Sequence, residues 1–247
     1  MHSSVNQLKQ YILQSDNIVF FGGAGVSTAS GIPDFRSADG LFSERLNRSF
    51  TPEQLVSRTF YERYPEDFFA FYREKLLYPD ARPNACHLAL ARLEALGKLS
   101  AVITQNIDGL HQAAGSNVVY ELHGCVHRNY CENCHTLYDE QIILNTTGIP
   151  KCPKCSGRIK PDVVLYEESL DERVIAGAIS AISAADMLII GGTSLVVYPA
   201  AGFIHYFQGP RLVLINKSET SADNAAQLVI RDDIASVFQQ LMQDMDS

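Results

Sequence analysis

The sequence predicts an α/β protein: a Rossmann-like parallel sheet, a helical insert and a smaller cysteine-bearing module. Three observations carry this. Short apolar runs alternate with helical stretches along most of the 247 residues. The first such run, "NIVFF" at residues 17–21, leads directly into the glycine-rich stretch "GGAGVSTASGIPDFR" at 22–36. Between residues 125 and 160 the pattern changes, and cysteine, glycine and proline replace the apolar runs.

Each element has its own signal. Val5, Leu8, Ile12 and Leu13 recur at helical spacing, so the chain opens on an amphipathic helix. Residues 17–21 read as a buried strand. Residues 52–78 carry Phe and Tyr at mixed spacing and read as helical, broken at Pro65. In "PNACHLALARLEALG", Asn84 is the expected N-cap, Leu88, Leu93 and Leu96 lie on one side, and Gly97 stops the helix. Strand-like runs follow at 99–106, 117–124, 162–168, 185–192 and 211–216, with helical stretches at 169–186 and 198–207 among them. That alternation implies parallel strands covered on both faces. Residues 1–35, 81–124 and 161–247 are assigned to the Rossmann-like domain, 36–80 to the helical insert and 125–160 to the cysteine module.

The module's spacing is specific. Cys131, Cys134, Cys152 and Cys155 form two C-x-x-C pairs with 17 residues between them. Two such turns present four thiolates, which suits one structural Zn²⁺ with no open position. A single pair would equally suit redox chemistry; two at ribbon spacing favour zinc. Cys86 and Cys125 read as small packed residues.

Composition limits the remaining possibilities. Hydrophobic residues are 46% and charged residues 19%, which fits a sizeable core and not a disordered chain. The formal net charge of −8 disfavours non-specific binding to nucleic acid or anionic lipid. The segment 125–160 holds five Lys/Arg against three Asp/Glu, a surplus that four zinc-bound thiolates cancel. No targeting or membrane segment is legible. A cytoplasmic location is expected, with no membrane and no direct nucleic-acid partner.

The chemistry is expected where strands end. Gln105, Asn106 and Asp108 follow one apolar run, and His123 follows another. Gly191, Gly192, Thr193 and Ser194 close a third, and Asn216 a fourth. In open α/β sheets ligands bind outside the carboxyl ends of strands, so this set reads as a nucleotide cleft. It is not a standard dehydrogenase loop. The fingerprint G-x-G-x-x-G requires a glycine at position 28, where this chain has Thr28.

The motifs "GAGVSTASGIPDFR", "TQNIDGLH", "LHG", the paired C-x-x-C and "GTSLVVYPAA" occur in order across roughly residues 18–234. In this combination the chain resembles the sirtuins, NAD-dependent protein deacylases, and among them the compact bacterial type. The resemblance implies that NAD is consumed as a co-substrate. Its glycosidic bond is broken, nicotinamide is released as product and inhibitor, and the acyl group of a modified lysine leaves on ADP-ribose. It further implies cofactor contacts from Ala24 and Thr28, and from Phe35 and Arg36 at the nicotinamide end. Gln105, Ile107 and Asp108 line the cofactor pocket. Thr193, Ser194, Asn216 and Ile234, with Asp233, hold the adenosine half. Asn106 orders the ribose and His123 serves as general base, an imidazole being largely neutral at pH 7.

Two further segments bear on the acyl-lysine protein or peptide substrate. Tyr166, Glu167 and Glu168 stand where many sirtuins have a Phe-Gly-Glu segment that pairs with the substrate backbone. The acidic pair there is expected to favour basic residues beside the target lysine. Relatives preferring succinyl or malonyl lysine carry a Tyr-x-x-Arg pair; here Tyr72 and Lys75 occupy that place, and lysine lacks arginine's planar fork. Acetyl-lysine is the expected substrate. The alternatives are longer acyl groups, mono-ADP-ribosyl transfer to protein, and, from a different class, a non-catalytic NAD sensor or zinc-ribbon adaptor.

Overall fold

The computed structural model of the protein describes residues 2–34 and 50–246; Phe35 and Arg36, both expected at the cofactor, lie outside them. Its strands are β1 (Ile18–Gly22), β2 (Leu99–Thr104), β3 (Val119–Glu121), β4 (Gly124–Cys131), β5 (Leu137–Tyr138), β6 (Ile159–Val163), β7 (Met187–Gly191), β8 (Arg211–Ile215) and β9 (Leu228–Ile230). Six of them form one sheet in the order β3-β2-β1-β7-β8-β9, every pair parallel. The direction of winding reverses between β1 and β7. That is the switch point at which open α/β sheets bind ligands.

The helices are α1 (His2–Leu13), α2 (Pro52–Leu55), α3 (Arg58–Arg63), α4 (Pro65–Lys75), α5 (Ala85–Ala95), α6 (Leu110–Ala113), α7 (Gln141–Leu144), α8 (Glu172–Ala184) and α9 (Ile234–Asp246). Val5 and Leu8 of α1, Leu90 and Leu93 of α5 and Phe238 of α9 pack on one sheet face, against Ile18, Phe20 and Ile189. Ala178 and Ile182 of α8 pack on the other, against Val19, Phe21 and Leu188. Both faces are covered, which is why β1 and β7 are wholly buried and read as unbroken apolar runs.

Asn84 caps α5 as expected, accepting a hydrogen bond from Cys86 N–H (2.9 Å). The buried face of that helix differs from the expected one. It runs through Cys86, Ala89, Leu90 and Leu93, while Leu88 and Leu96 are exposed. Leucine marks apolarity, but only the i, i+3, i+4, i+7 set faces a single neighbour. Residues 52–78 break once more than Pro65 alone implied, because the Ser57 side chain accepts from Phe60 N–H (3.1 Å) and starts α3. The helical stretch at 198–207 contains a 3-10 helix, Ala200–Tyr206.

Residues 162–168 do not add a strand to the parallel sheet. Ile159–Val163 pairs antiparallel with β4 in a second sheet, β5-β4-β6, and 164–168 leave it in a turn. A short apolar run does not encode which sheet it joins. The strand β9, three residues long, is too short to carry a periodic signal in the sequence. The aromatic residues of α3 and α4 form their own core, in which Phe60, Tyr61, Phe68 and Tyr72 pack with Val126 and Val163. Among the described residues no helix is long and apolar enough to cross a membrane.

Candidate active site and metal centre

Two glycine loops touch at the switch point. After β1 the chain makes two 3-10 turns, Ala24–Val26 and Thr28–Ser30, where a dinucleotide fingerprint would open a long helix. Gly25 N–H donates to the Gly192 carbonyl (2.8 Å). A Cβ on Gly25 would lie 2.8 Å from Gly192 Cα, and one on Gly192 would lie 2.5 Å from Val26 N. With φ of +60° at Gly192 as well, only glycine fits this contact.

The loops open onto a cleft of about 1260 Å³. Ala24, Thr28, Gln105, Asn106, Ile107, Asp108, His123, Thr193, Ser194, Asn216 and Ile234 all line it, from strand ends far apart in the chain. Gln105 Nε2 donates to Thr193 Oγ1 (3.2 Å), joining the two sides of the switch point. Thr28 Oγ1 donates to the Gly25 carbonyl (3.0 Å). Asn216 Nδ2 donates to the Ser218 carbonyl (2.9 Å).

Ser27, which carried no expected role, organises this region. Only 1% exposed, its hydroxyl donates to Asp108 Oδ2 (2.6 Å) and accepts from Asn106 Nδ2 (3.0 Å). Asp108 Oδ1 also accepts from Leu110 N–H (2.9 Å). The first loop is thereby pinned to the segment 106–108. Its one legible signal was a small hydroxyl inside a glycine loop.

His123 follows β3, and its Nδ1–H donates to the Gln105 carbonyl (2.8 Å). A carbonyl only accepts, so the proton is held on Nδ1 and Nε2 is the unprotonated nitrogen. Burial lowers the imidazole pKa from its ordinary value, and the Gln105 carbonyl opposes the shift. The ring is neutral at pH 7.

Behind the site lie two histidines with no expected chemistry. His87 and His111 are 0% and 1% exposed, with ring centroids 4.7 Å apart. Burial pushes their pKa values down to about 4 and about 3; Asp108 opposes this at His87, and His87 adds to it at His111. Both depressed histidines are neutral in the fold, whereas the unfolded chain takes up protons near pH 6.5. Stability is therefore full above about pH 6.5 and declines as pH falls from there towards the folded-state values. The expected loss by pH 5 is on the order of 2 kcal/mol or more. Urea midpoints measured at pH 7.5 and pH 5 should separate clearly, and a His111→Leu variant should narrow the gap. Equal midpoints would contradict the buried neutral pair.

The four module cysteines converge. Their sulfurs all lie within 4.8 Å of one another, at 3.4 Å for Cys131–Cys155 and 3.6 Å for Cys134–Cys152. Those distances are far beyond a disulfide. They approach the edge of about 3.8 Å that a tetrahedron with Zn–S bonds near 2.3 Å requires. The two turns are alike: His135 N–H donates to the Cys131 carbonyl and Ser156 N–H to the Cys152 carbonyl, with positive φ at both His135 and Ser156. Tyr138 Oη lies 3.0 Å from Cys152 Sγ and is placed to donate to a thiolate. Thiolates in this set suit Zn²⁺ without an open position.

The acidic pair is engaged within the protein. Glu168 accepts from Lys160 Nζ (3.1 Å) and Leu165 N–H (2.9 Å) and faces Arg58 (3.3 Å); Glu167 accepts from Thr59. Glu168 is thus paired with cations of the protein, whereas Glu167 is held by neutral donors and keeps its charge. Tyr72 and Lys75 are also separated. Tyr72 is fully buried in the aromatic core, whereas Lys75 lines the cleft with its ammonium 2.7 Å from Glu74.

A family description, the Sir2 family, matches residues 23–199. An NAD-dependent protein deacetylase of Clostridium perfringens is 67% identical over 239 residues, covering 96% of this chain and 98% of the relative. One of Staphylococcus aureus is 48% identical, covering 98% and 99%. Among solved structures, "Sir2-p53 peptide-NAD+" superposes with a TM-score of 0.86 at 37% identity, and "Sir2 bound to acetylated peptide" with 0.86 at 35%. Each covers 98% of both chains.

Proposed function

Because the chain belongs to the Sir2 family and is an NAD-dependent protein deacetylase, we propose that His123 is the general base of a lysine deacetylation yielding nicotinamide and O-acetyl-ADP-ribose. The observation that carries this is the bond from His123 Nδ1–H to the Gln105 carbonyl, in the cleft where the strand ends meet. When bound, NAD would supply the ribosyl carbon that nicotinamide leaves and the acetyl oxygen attacks, and the ribose hydroxyl that carries the acetyl group once water has released the lysine amine.

The chain's own residues do the rest. The glycine contact holds the two loops together at the cleft, with Ala24 and Thr28 beside it to face the phosphates. Thr193, Ser194, Asn216 and Ile234 hold the adenosine half. Phe35 and Arg36, outside the described residues, enter the proposed cofactor set on the family resemblance alone. Ile107 and Asp108 hold the carboxamide, Asp108 secured by Ser27 and the Ile107 carbonyl by Val126 N–H. Asn106, tied to the same hydroxyl, orders the ribose. Nε2 of His123 takes the ribose hydroxyl proton while Gln105 retains the proton on Nδ1. The division at 36–80 and 125–160 stays a proposal: the four cysteines gather around a small cluster of their own, while the aromatic cluster draws on both segments, with Val126 and Ile143 among Phe60, Tyr61 and Phe68.

The substrate is an acetyl-lysine peptide in an extended conformation, with Tyr166 and Val196 at the cleft. Acetyl is favoured over acidic acyl groups because Tyr72 is withdrawn into the core and Lys75 faces Glu74. Mass spectrometry of purified protein with NAD and an acetyl-lysine peptide tests this. We expect deacetylated peptide, nicotinamide and O-acetyl-ADP-ribose, all dependent on NAD. An unchanged peptide with ADP-ribose attached to protein would instead establish the transferase alternative.

A further inference from the structure

Glu167 combines two features rarely found together. It is a long, charged residue at φ +76°, where glycine is the usual occupant. Glu168 N–H donates to the Leu165 carbonyl (3.0 Å), closing a four-residue turn with Glu167 at its third place. The same segment is paired on one side only. Tyr166 N–H donates to the Val56 carbonyl and Arg58 N–H to the Tyr166 carbonyl, both at 3.0 Å, a parallel bridge to Ser57. Leu165 N–H and C=O are taken by Glu168. Among the described residues, the backbone N–H and C=O of Glu167 have no backbone partner.

The Glu167 side chain is anchored away from that edge. Its Oε2 accepts from both Thr59 N–H (2.8 Å) and Thr59 Oγ1 (2.7 Å), in the first turn of α3. A strained turn persists where surrounding bonds hold it. Here those bonds come from Thr59 at its tip and, at its base, from Lys160 Nζ, which donates to Glu168.

We infer that Glu167 is a positioning residue for the substrate: its carboxylate, latched to Thr59, presets the turn whose own N–H and C=O form the edge on which the acyl-lysine peptide pairs. This rests on the deacetylase reading. The peptide then binds a segment already in shape, so less ordering accompanies association. The latch acts on peptide binding, and the groups that act on NAD are untouched by it.

Four proteins decide the matter: wild type, Glu167→Gly, Glu167→Gln and Thr59→Val. Each is measured for peptide Kd by fluorescence anisotropy without NAD, and for KM and kcat with NAD. Two acetyl-lysine peptides are used, one with basic and one with neutral flanks. Glu167→Gly should weaken Kd and raise peptide KM about fivefold for both peptides, with kcat retained. Thr59→Val should move both in the same direction by less. Glu167→Gln should remain near wild type, since an amide oxygen still accepts from Thr59. Unchanged Kd in both Glu167→Gly and Thr59→Val, with active wild type, overturns the latch. It is also overturned if Glu167→Gln fails like Glu167→Gly for the basic peptide alone, which would mean direct reading of charge. The expected Kd pattern without turnover in any protein, wild type included, would sustain the latch and remove the deacetylase reading instead.

Discussion

Replacing His123 by alanine is expected to lower kcat by about 10²–10⁴-fold, the usual contribution of a positioned general base. NAD and peptide affinities should stay within a few-fold of wild type, because the loops that line the cleft are held by other bonds. Ser27 links to Asp108 and Asn106, and Gly25 to Gly192, without any part played by the imidazole. The backbone of residue 123 keeps its own link, from Val164 N–H to its carbonyl (3.0 Å). A modest stability loss, on the order of 1 kcal/mol, should accompany the change, as the Gln105 carbonyl loses its donor. The pH profile adds a second reading. Burial lowers the His123 pKa, so the neutral base persists to lower pH than an ordinary histidine. The acid limb of kcat/KM in the wild type should therefore fall below about pH 6.5. Full turnover by the alanine variant would remove His123 from the chemistry.

Stripping zinc is expected to unfold the module around the four cysteines and to abolish turnover. Structural zinc sites bind with roughly 10–16 kcal/mol of apparent free energy, which is folding free energy for a module this small. The apolar cluster around the cysteines is small: Ile159, with Tyr138 and Ile142 packed on it. Without metal, four thiolates held within 4.8 Å would repel one another. The damage should spread to the helical insert. Glu132, next to Cys131, accepts from Tyr61 Oη (2.9 Å) and Arg158 Nε (2.9 Å), tying the module to α3. Metal analysis should find one zinc per chain, and a strong chelator should remove activity together with circular-dichroism signal. A Cys131→Ser variant should behave as the chelated protein does. A metal-free chain that stays folded and active would refute a structural metal.

Much of this protein was legible along the chain because the signals are local. A glycine loop after an apolar strand, two C-x-x-C turns at ribbon spacing and polar residues at strand ends all follow from short-range stereochemistry. They are written in residue type and interval. The Asn84 cap and the first helix could be read for the same reason. Ile159–Val163 could not, because five residues of suitable polarity do not encode which neighbour they pair with. Leu88 and Leu96 likewise showed apolarity without showing which face of α5 the sheet would cover.

The site divides along the same line. Residue types alone pointed to His123, Asn106, Asp108 and the four cysteines. The tautomer of His123 depends on a carbonyl 18 residues earlier in the chain. Ser27 gains its role from a carboxylate 81 residues away, and Glu167 from a threonine 108 residues away. Sequence by itself determined which chemical groups were available and the fold that gathers them. Only tertiary structure decided which of them are already bound to one another, because a hydrogen bond satisfies an acceptor by position, and position across such separations is set by packing.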